Sequence, residues 1–126
     1  MERGADIQDF DNKALIYTSW GGEIETVKYL VEHGADIHAQ DDMALKRSVF
    51  RNKNVTKYLL EHGANIHSEF DDTLAAAIEI EDLELVKYLV ENGANIHARD
   101  HIPGKAFLEK ARIMKHKNIV EYLESL

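Results

Sequence analysis

The sequence predicts an all-α repeat solenoid of about four helix–turn–helix units, joined by short fingers of which the last is the fullest. Three observations predict it. A four-residue phrase recurs as Gly4-Ala5-Asp6-Ile7, Gly34-Ala35-Asp36-Ile37, Gly63-Ala64-Asn65-Ile66 and Gly93-Ala94-Asn95-Ile96, its glycines 30, 29 and 30 residues apart. A second phrase keeps step: Val27-Lys28-Tyr29-Leu30, Thr56-Lys57-Tyr58-Leu59, Val86-Lys87-Tyr88-Leu89 and Val120-Glu121-Tyr122-Leu123. Between them, Leu85, Val86, Leu89 and Val90 recur at i, i+1, i+4 and i+5, the stripe of an amphipathic helix. A unit this small cannot bury its apolar face alone, so the copies must stack.

The elements follow in order within each repeat. Leu15, Leu45 and Leu74 each stand 11 residues after the preceding glycine and open a first helix. In the third repeat that helix runs from Leu74 to Glu79, with Ala75, Ala76 and Ala77 allowing close approach of a neighbour. A second helix follows from about Leu83 to Glu91. It stops at a glycine: His33-Gly34, His62-Gly63 and Asn92-Gly93 read as C-caps, with glycine taking the left-handed conformation. The Ala-Asp/Asn-Ile segment is then extended, and its Ile turns back to seal the stack. Repeat two is one residue shorter than repeat three between the opening Leu and the Tyr, which predicts a tighter turn near Asn52-Lys53-Asn54. Residues 1–126 form one domain, with repeats at about 5–34, 35–63, 64–93 and 94–126.

Helix, turn, helix, then Gly-Ala-Asp-Ile-His resembles the ankyrin repeat over nearly the whole chain. The typical ankyrin unit has about 33 residues. This chain departs from it ahead of the first helix, where Asp42-Met43-Ala44-Leu45 and Asp71-Asp72-Thr73-Leu74 replace the usual Gly-x-Thr-Pro segment. The resemblance implies shortened β-hairpin fingers in repeats one to three, with little or no strand pairing. Only Asp100 to Leu108 is long enough for the usual finger. The wording VKYLVEHGADIHAQDD is similar to the arrays that giant DNA viruses carry in many copies.

Composition narrows the function classes. The 126 residues carry a net charge of −8, which repels phosphate backbones and anionic membranes and favours a basic or apolar protein partner. No cysteine is present, so neither disulfides nor cysteine metal sites enter. The start lacks the apolar stretch of a secretory signal, and no apolar run approaches the ~20 residues of a membrane span. An intracellular, cytoplasmic place is expected, in a host cell for a viral protein. No enzymatic motif of the GxSxG, HExxH, phosphate-loop or CxxC kind occurs, and neither a catalytic site nor a cofactor is expected.

His38, His67 and His97 share one repeat position. Stacked helices lie ~8–10 Å apart while zinc–nitrogen bonds need ~2 Å, so one ion cannot bridge two of them. They are expected to bond backbone in the turn. Acidic residues gather at the fingers: Asp9, Asp11, Asp41, Asp42, Glu69, Asp71, Asp72 and Asp100. Asp42 and Asp71 stand three residues before a helix-opening Leu and read as caps, recognition being the alternative. Lys46, Arg47, Arg51 and Lys53 read as a solvated basic spot too short for a nucleic-acid track.

In ankyrin proteins the first helix lines the groove that holds partners. On that expectation the partner-binding residues are Tyr17 and Trp20 in repeat one, Arg47 and Phe50 in repeat two, Glu79 in repeat three and Ile113 in repeat four. Phe10 and Phe70 join them at the fingertips. Aromatics of this kind dominate interface hot spots, although Trp20 and Phe50 serve equally as filler between repeats. The spacing from Leu30 to Asp36-Ile37-His38 resembles substrates of oxygen-sensing asparaginyl hydroxylases, which implies possible hydroxylation of His38.

The chain opens in mid-repeat, leaving Ile16, Tyr17 and Trp20 without an upstream neighbour. Three readings follow: a piece of a longer array, self-association through this face, or Met1 to Asp6 folding over it. The function expected is a non-catalytic protein-interaction module, monomeric unless that face pairs. The alternatives are a structural piece of an array or a substrate-recruiting adaptor.

Overall fold

The computed structural model describes residues 13–126, and the expectations for Phe10, Asp9, Asp11 and Met1 to Asp6 lie outside the described residues. Among the described residues there are eight helices and no strand: α1 Lys13–Gly21, α2 Ile24–Glu32, α3 Ala39–Ser48, α4 Lys53–Glu61, α5 Ser68–Glu79, α6 Leu83–Glu91, α7 Phe107–Ile113 and α8 Lys117–Glu124. The all-helical repeat class expected from the sequence is what forms. The chain divides into two compact units at Asn65/Ile66, each holding two helix hairpins.

In the first unit α1 packs on α2 and on α3, α3 on α4, and α2 on α4. First helices therefore meet first helices, and second helices meet second helices. The core between them is Leu15, Ile16, Val27, Ala44, Leu45, Val55 and Leu59. Ile16, expected on an open face, is buried in this cluster, whereas Tyr17 beside it is exposed. The second unit repeats the scheme, with α5 on α6 and α7, and α8 on α7 and α6. Leu74, Ile78, Leu85, Val86, Leu89, Phe107 and Ile119 are fully buried there. Each such side chain contributes about 1.5–3 kcal/mol relative to exposure.

The predicted glycine caps form as expected. Gly34 takes φ 97°, its N–H donates to the Val31 carbonyl, and the Ala35 N–H donates to Leu30 across the cap. Gly63 and Gly93 repeat this at φ 101° and 104°. The residue before the glycine adds a third bond back into the helix. His33 and His62 donate from Nδ1 to the Tyr29 and Tyr58 carbonyls, and Asn92 donates from Nδ2 to Tyr88. The His/His/Asn choice follows from the need for a donor at that place. The Ala-Asp/Asn-Ile link buries Ile37, Ala64 and Ala94, while Ile66 and Ile96 are half-buried.

The turns inside the hairpins explain the shorter second repeat. Gly22, Glu81 and Lys115 occupy equivalent places in repeats one, three and four, all left-handed. Repeat two has one residue fewer and no left-handed residue at this turn; the Asn52 N–H closes on Ser48 instead. The Asn52 side chain accepts from the Asn54 N–H and donates to the Gly22 carbonyl of the preceding turn.

The fingers hold the least expected geometry. Gln40, Asp41 and Asp42 form a left-handed helical turn with φ between 55° and 58°, and Glu69, Phe70 and Asp71 repeat it with φ between 52° and 60°. The regular right-handed helices begin after these turns. L-residues enter this region at a cost of roughly 1–2 kcal/mol each, and runs of three are unusual. This turn is how a finger too short for a hairpin closes. The fourth finger is fuller, as expected, and within it turns follow one another: Ala98 N–H to Asn95, Asp100 to His97, Ile102 to Arg99 and Lys105 to Ile102.

Candidate interaction surface

The base of each short finger is a buried carboxylate. Asp42 and Asp71, expected to cap α3 and α5, are only 4% and 2% exposed and bond elsewhere. Asp42 accepts the Asn65 N–H at 2.8 Å and faces His38 Nδ1 at 3.0 Å. Asp71 accepts the Asn95 N–H at 2.8 Å and faces His67 Nδ1 at 3.0 Å. The left-handed turn aims each carboxylate inward, and a buried carboxylate needs such donors to offset its desolvation. The rings of His38 and His67 therefore face a side-chain carboxylate, where a bond to turn backbone was expected. In the fourth finger His97 Nδ1 faces Asp100 at 2.6 Å. The described residues contain no cluster of three metal-ligating side chains.

The tip of the third finger is held from the fourth. Arg99 donates from Nε to the Phe70 carbonyl at 3.1 Å, from an Nη to the Glu69 carbonyl at 3.2 Å, and to Asp72 at 2.9 Å. Its guanidinium lies 5.3 Å from the Phe107 ring centroid. Phe70 itself is 57% exposed, its ring centroid 5.7 Å from that of His101. Arg99 was not among the expected site residues.

Three expected partner-binding residues meet in the first unit. Tyr17 and Trp20 on α1 and Arg47 on α3 line a groove of about 250 Å³, floored by Ile16 and Met43 and flanked by Lys13 and Gln40. The Arg47 guanidinium sits 4.6 Å over the Trp20 ring, a cation–π contact. Trp20 nonetheless stays 45% exposed. Among the described residues the lining holds two cations and no carboxylate. Arg47 pairs with no carboxylate among the described residues.

The remaining expected residues lie apart from that groove. Phe50 is exposed after the end of α3 and does not line it. In the second unit Phe70 and Ile113 are exposed, and Glu79 stands 3.9 Å from Lys110. The four basic residues expected as one solvated face separate: Lys46 is buried, Arg47 joins the groove, Lys53 is half-buried and Arg51 alone is exposed. Their spacing on a helix turns successive residues to different faces.

A second cavity, about 300 Å³, lies in the second unit among Ile96, Ala106, Leu108 and Leu123. On its rim His97 pairs with Asp100 and Arg112 with Glu124, and Glu109 adds a further carboxylate. The groove on α1 and α3 differs in that its two cations, Lys13 and Arg47, pair with no carboxylate among the described residues.

Helix hairpins, the first three of them closed by a left-handed glycine and followed by a polar finger, define a helical repeat protein. A three-copy ankyrin-repeat model matches residues 1–70 and a single ankyrin-repeat model matches residues 74–101. The chain belongs to the ankyrin-repeat family, whose repeats are non-enzymatic and mediate protein–protein interaction. A search of curated proteins finds no match. No helix among the described residues is long and apolar enough to cross a membrane.

Proposed function

We propose that this chain is a non-catalytic protein-interaction module that grips its partner on the first-helix face of repeats one and two. The observation that carries this reading is the Trp20–Arg47 pair. An exposed aromatic ring and a half-buried guanidinium meet beside an apolar floor in a groove, and Trp and Arg are among the residues most enriched at interface hot spots. Phe50 supplies a further contact in the first unit, and Phe70, Glu79 and Ile113 are candidate contacts on the second unit taken by itself. Phe10 belongs to the same set on the strength of the sequence.

The 126 residues act as one ankyrin domain of four repeats, monomeric and cytoplasmic. Their resemblance to giant-virus arrays supports a viral origin and work inside a host cell. The test is quantitative proximity labelling in the native cell with wild type and with Trp20→Ala. The module reading expects a defined set of labelled proteins to drop out in the variant, its melting transition unchanged. An identical labelled set would remove this face as the binding surface.

A further inference from the structure

We propose that the groove on α1 and α3 takes an acidic peptide segment, one carboxylate seated between Arg47 and Lys13 and a neighbouring apolar side chain on Ile16, Met43 and the Trp20 ring. The proposal rests on the binding surface just described and specifies what that surface recognises.

Charge complementarity carries it. The chain has 23 acidic residues against 15 basic ones, so its charge on average is acidic. Among the described residues this groove is lined by Lys13 and Arg47 with no Asp or Glu. The chain's overall charge points to a basic partner; the local charge reverses that. Contact at the groove is governed by the near charges, because ions about 8–10 Å away are largely screened at physiological salt.

Arg47 is also prepared for the task. Stacking at 4.6 Å on Trp20 holds the guanidinium plane and leaves its N–H edges for hydrogen bonds. A carboxylate matches two of those edges at once. The stack fixes the side chain before binding, which lowers the entropy lost on complex formation. The floor beside it is apolar, and an acidic segment without an apolar neighbour would leave that floor in water.

The experiment selects a phage-displayed library of random twelve-residue peptides on the full chain, then measures the recovered peptides by fluorescence anisotropy. Acidic enrichment, with about tenfold weaker binding to Arg47→Gln, weaker binding to Lys13→Gln and partial retention by Arg47→Lys, supports the proposal. Thermal melts of each variant guard against loss of fold, and Lys13→Gln gives an exposed second site if Arg47→Gln unfolds. Peptides without acidic bias that still lose binding on Trp20→Ala overturn the proposal and leave the surface standing. Peptides indifferent to both Trp20→Ala and Arg47→Gln, or no enrichment at all, overturn both. A dimer in sedimentation equilibrium that Arg47→Gln dissolves would make a second copy the occupant. A tenfold gain in peptide affinity on Asp9→Asn/Asp11→Asn would make it the chain's own first residues. Either result contradicts the proposal.

Discussion

The carboxylate of Asp71 accepts the backbone N–H of Asn95 at 2.8 Å, joining the finger of repeat three to the start of repeat four. Asp42 does the same for Asn65. In both cases the acceptor is delivered by a left-handed turn that no glycine relieves. A local cost of roughly 3–6 kcal/mol per turn is thus set against a part-buried, charge-assisted bond between repeats.

Removing that acceptor tests the exchange. Asp71→Ala strands the Asn95 N–H and is expected to destabilise by about 2–3 kcal/mol in chemical denaturation. Asp71→Asn keeps one acceptor oxygen and should lose about half as much. Equal, small losses for both would show that the carboxylate contributes little.

Arg99 holds the Phe70 and Glu69 carbonyls. Arg99→Ala should loosen the third fingertip while the helices stay intact. Chymotrypsin cleavage after Phe70 is expected to accelerate by about tenfold, since cleavage follows local opening. An unchanged cleavage rate would mean that the turn stands without the clamp.

Two glycines separate conformational cost from crowding. A Cβ built on Gly63 meets nothing within 4 Å, so Gly63→Ala should cost only the left-handed term, about 1–2 kcal/mol. A Cβ on Gly22 lies 3.1 Å from the Asn52 Cβ and 3.3 Å from that of Arg51. Gly22→Ala is therefore expected to cost more than Gly63→Ala by equilibrium denaturation. The reverse order would contradict the close approach of the two inter-helix turns.

Tyr58 is buried with its hydroxyl unpartnered among the described residues. Burial first, and the Glu32 carboxylate second, push its phenol above its ordinary value of 10.0. The folded state therefore favours the protonated form. This contribution is complete below the unfolded pKa of 10.0 and is lost as pH rises through the higher folded value. Tyr58→Phe should lessen the alkaline loss of stability, and at neutral pH should be neutral or stabilising by up to about 1 kcal/mol. Denaturation midpoints between about pH 8 and 11 check both points.

How much of this was legible in the sequence depends on the range of the interaction. The caps at Gly34, Gly63 and Gly93 were, because a left-handed C-cap is a local requirement. So was α6, whose stripe from Leu83 to Glu91 carries its own period. The left-handed turns were not, since Gln40, Glu69 and Phe70 are poor formers and hold that shape only through bonds made to residues farther along the chain. A signal was nevertheless present: His and Asp stand at the same two offsets from the glycine in repeats two and three, as His38/Asp42 and His67/Asp71. That pairing marked a bonded unit before its partner on Asn65 or Asn95 was visible. Trp20 and Tyr17 were legible as exposed first-helix residues, and Arg47 as a first-helix residue that the structure half-buries. The stacking of Arg47 on Trp20 was not, because it joins two repeats through long side chains.

The most direct test places a photo-crosslinking amino acid at Tyr17, on the first-helix face, and separately at Glu25 on α2, in the native cell. A binding surface on the Trp20–Arg47 groove predicts discrete adducts from position 17, lost when Arg47→Gln is added, and none of these from position 25. Adducts arising equally from both positions, or from position 25 alone, would contradict it.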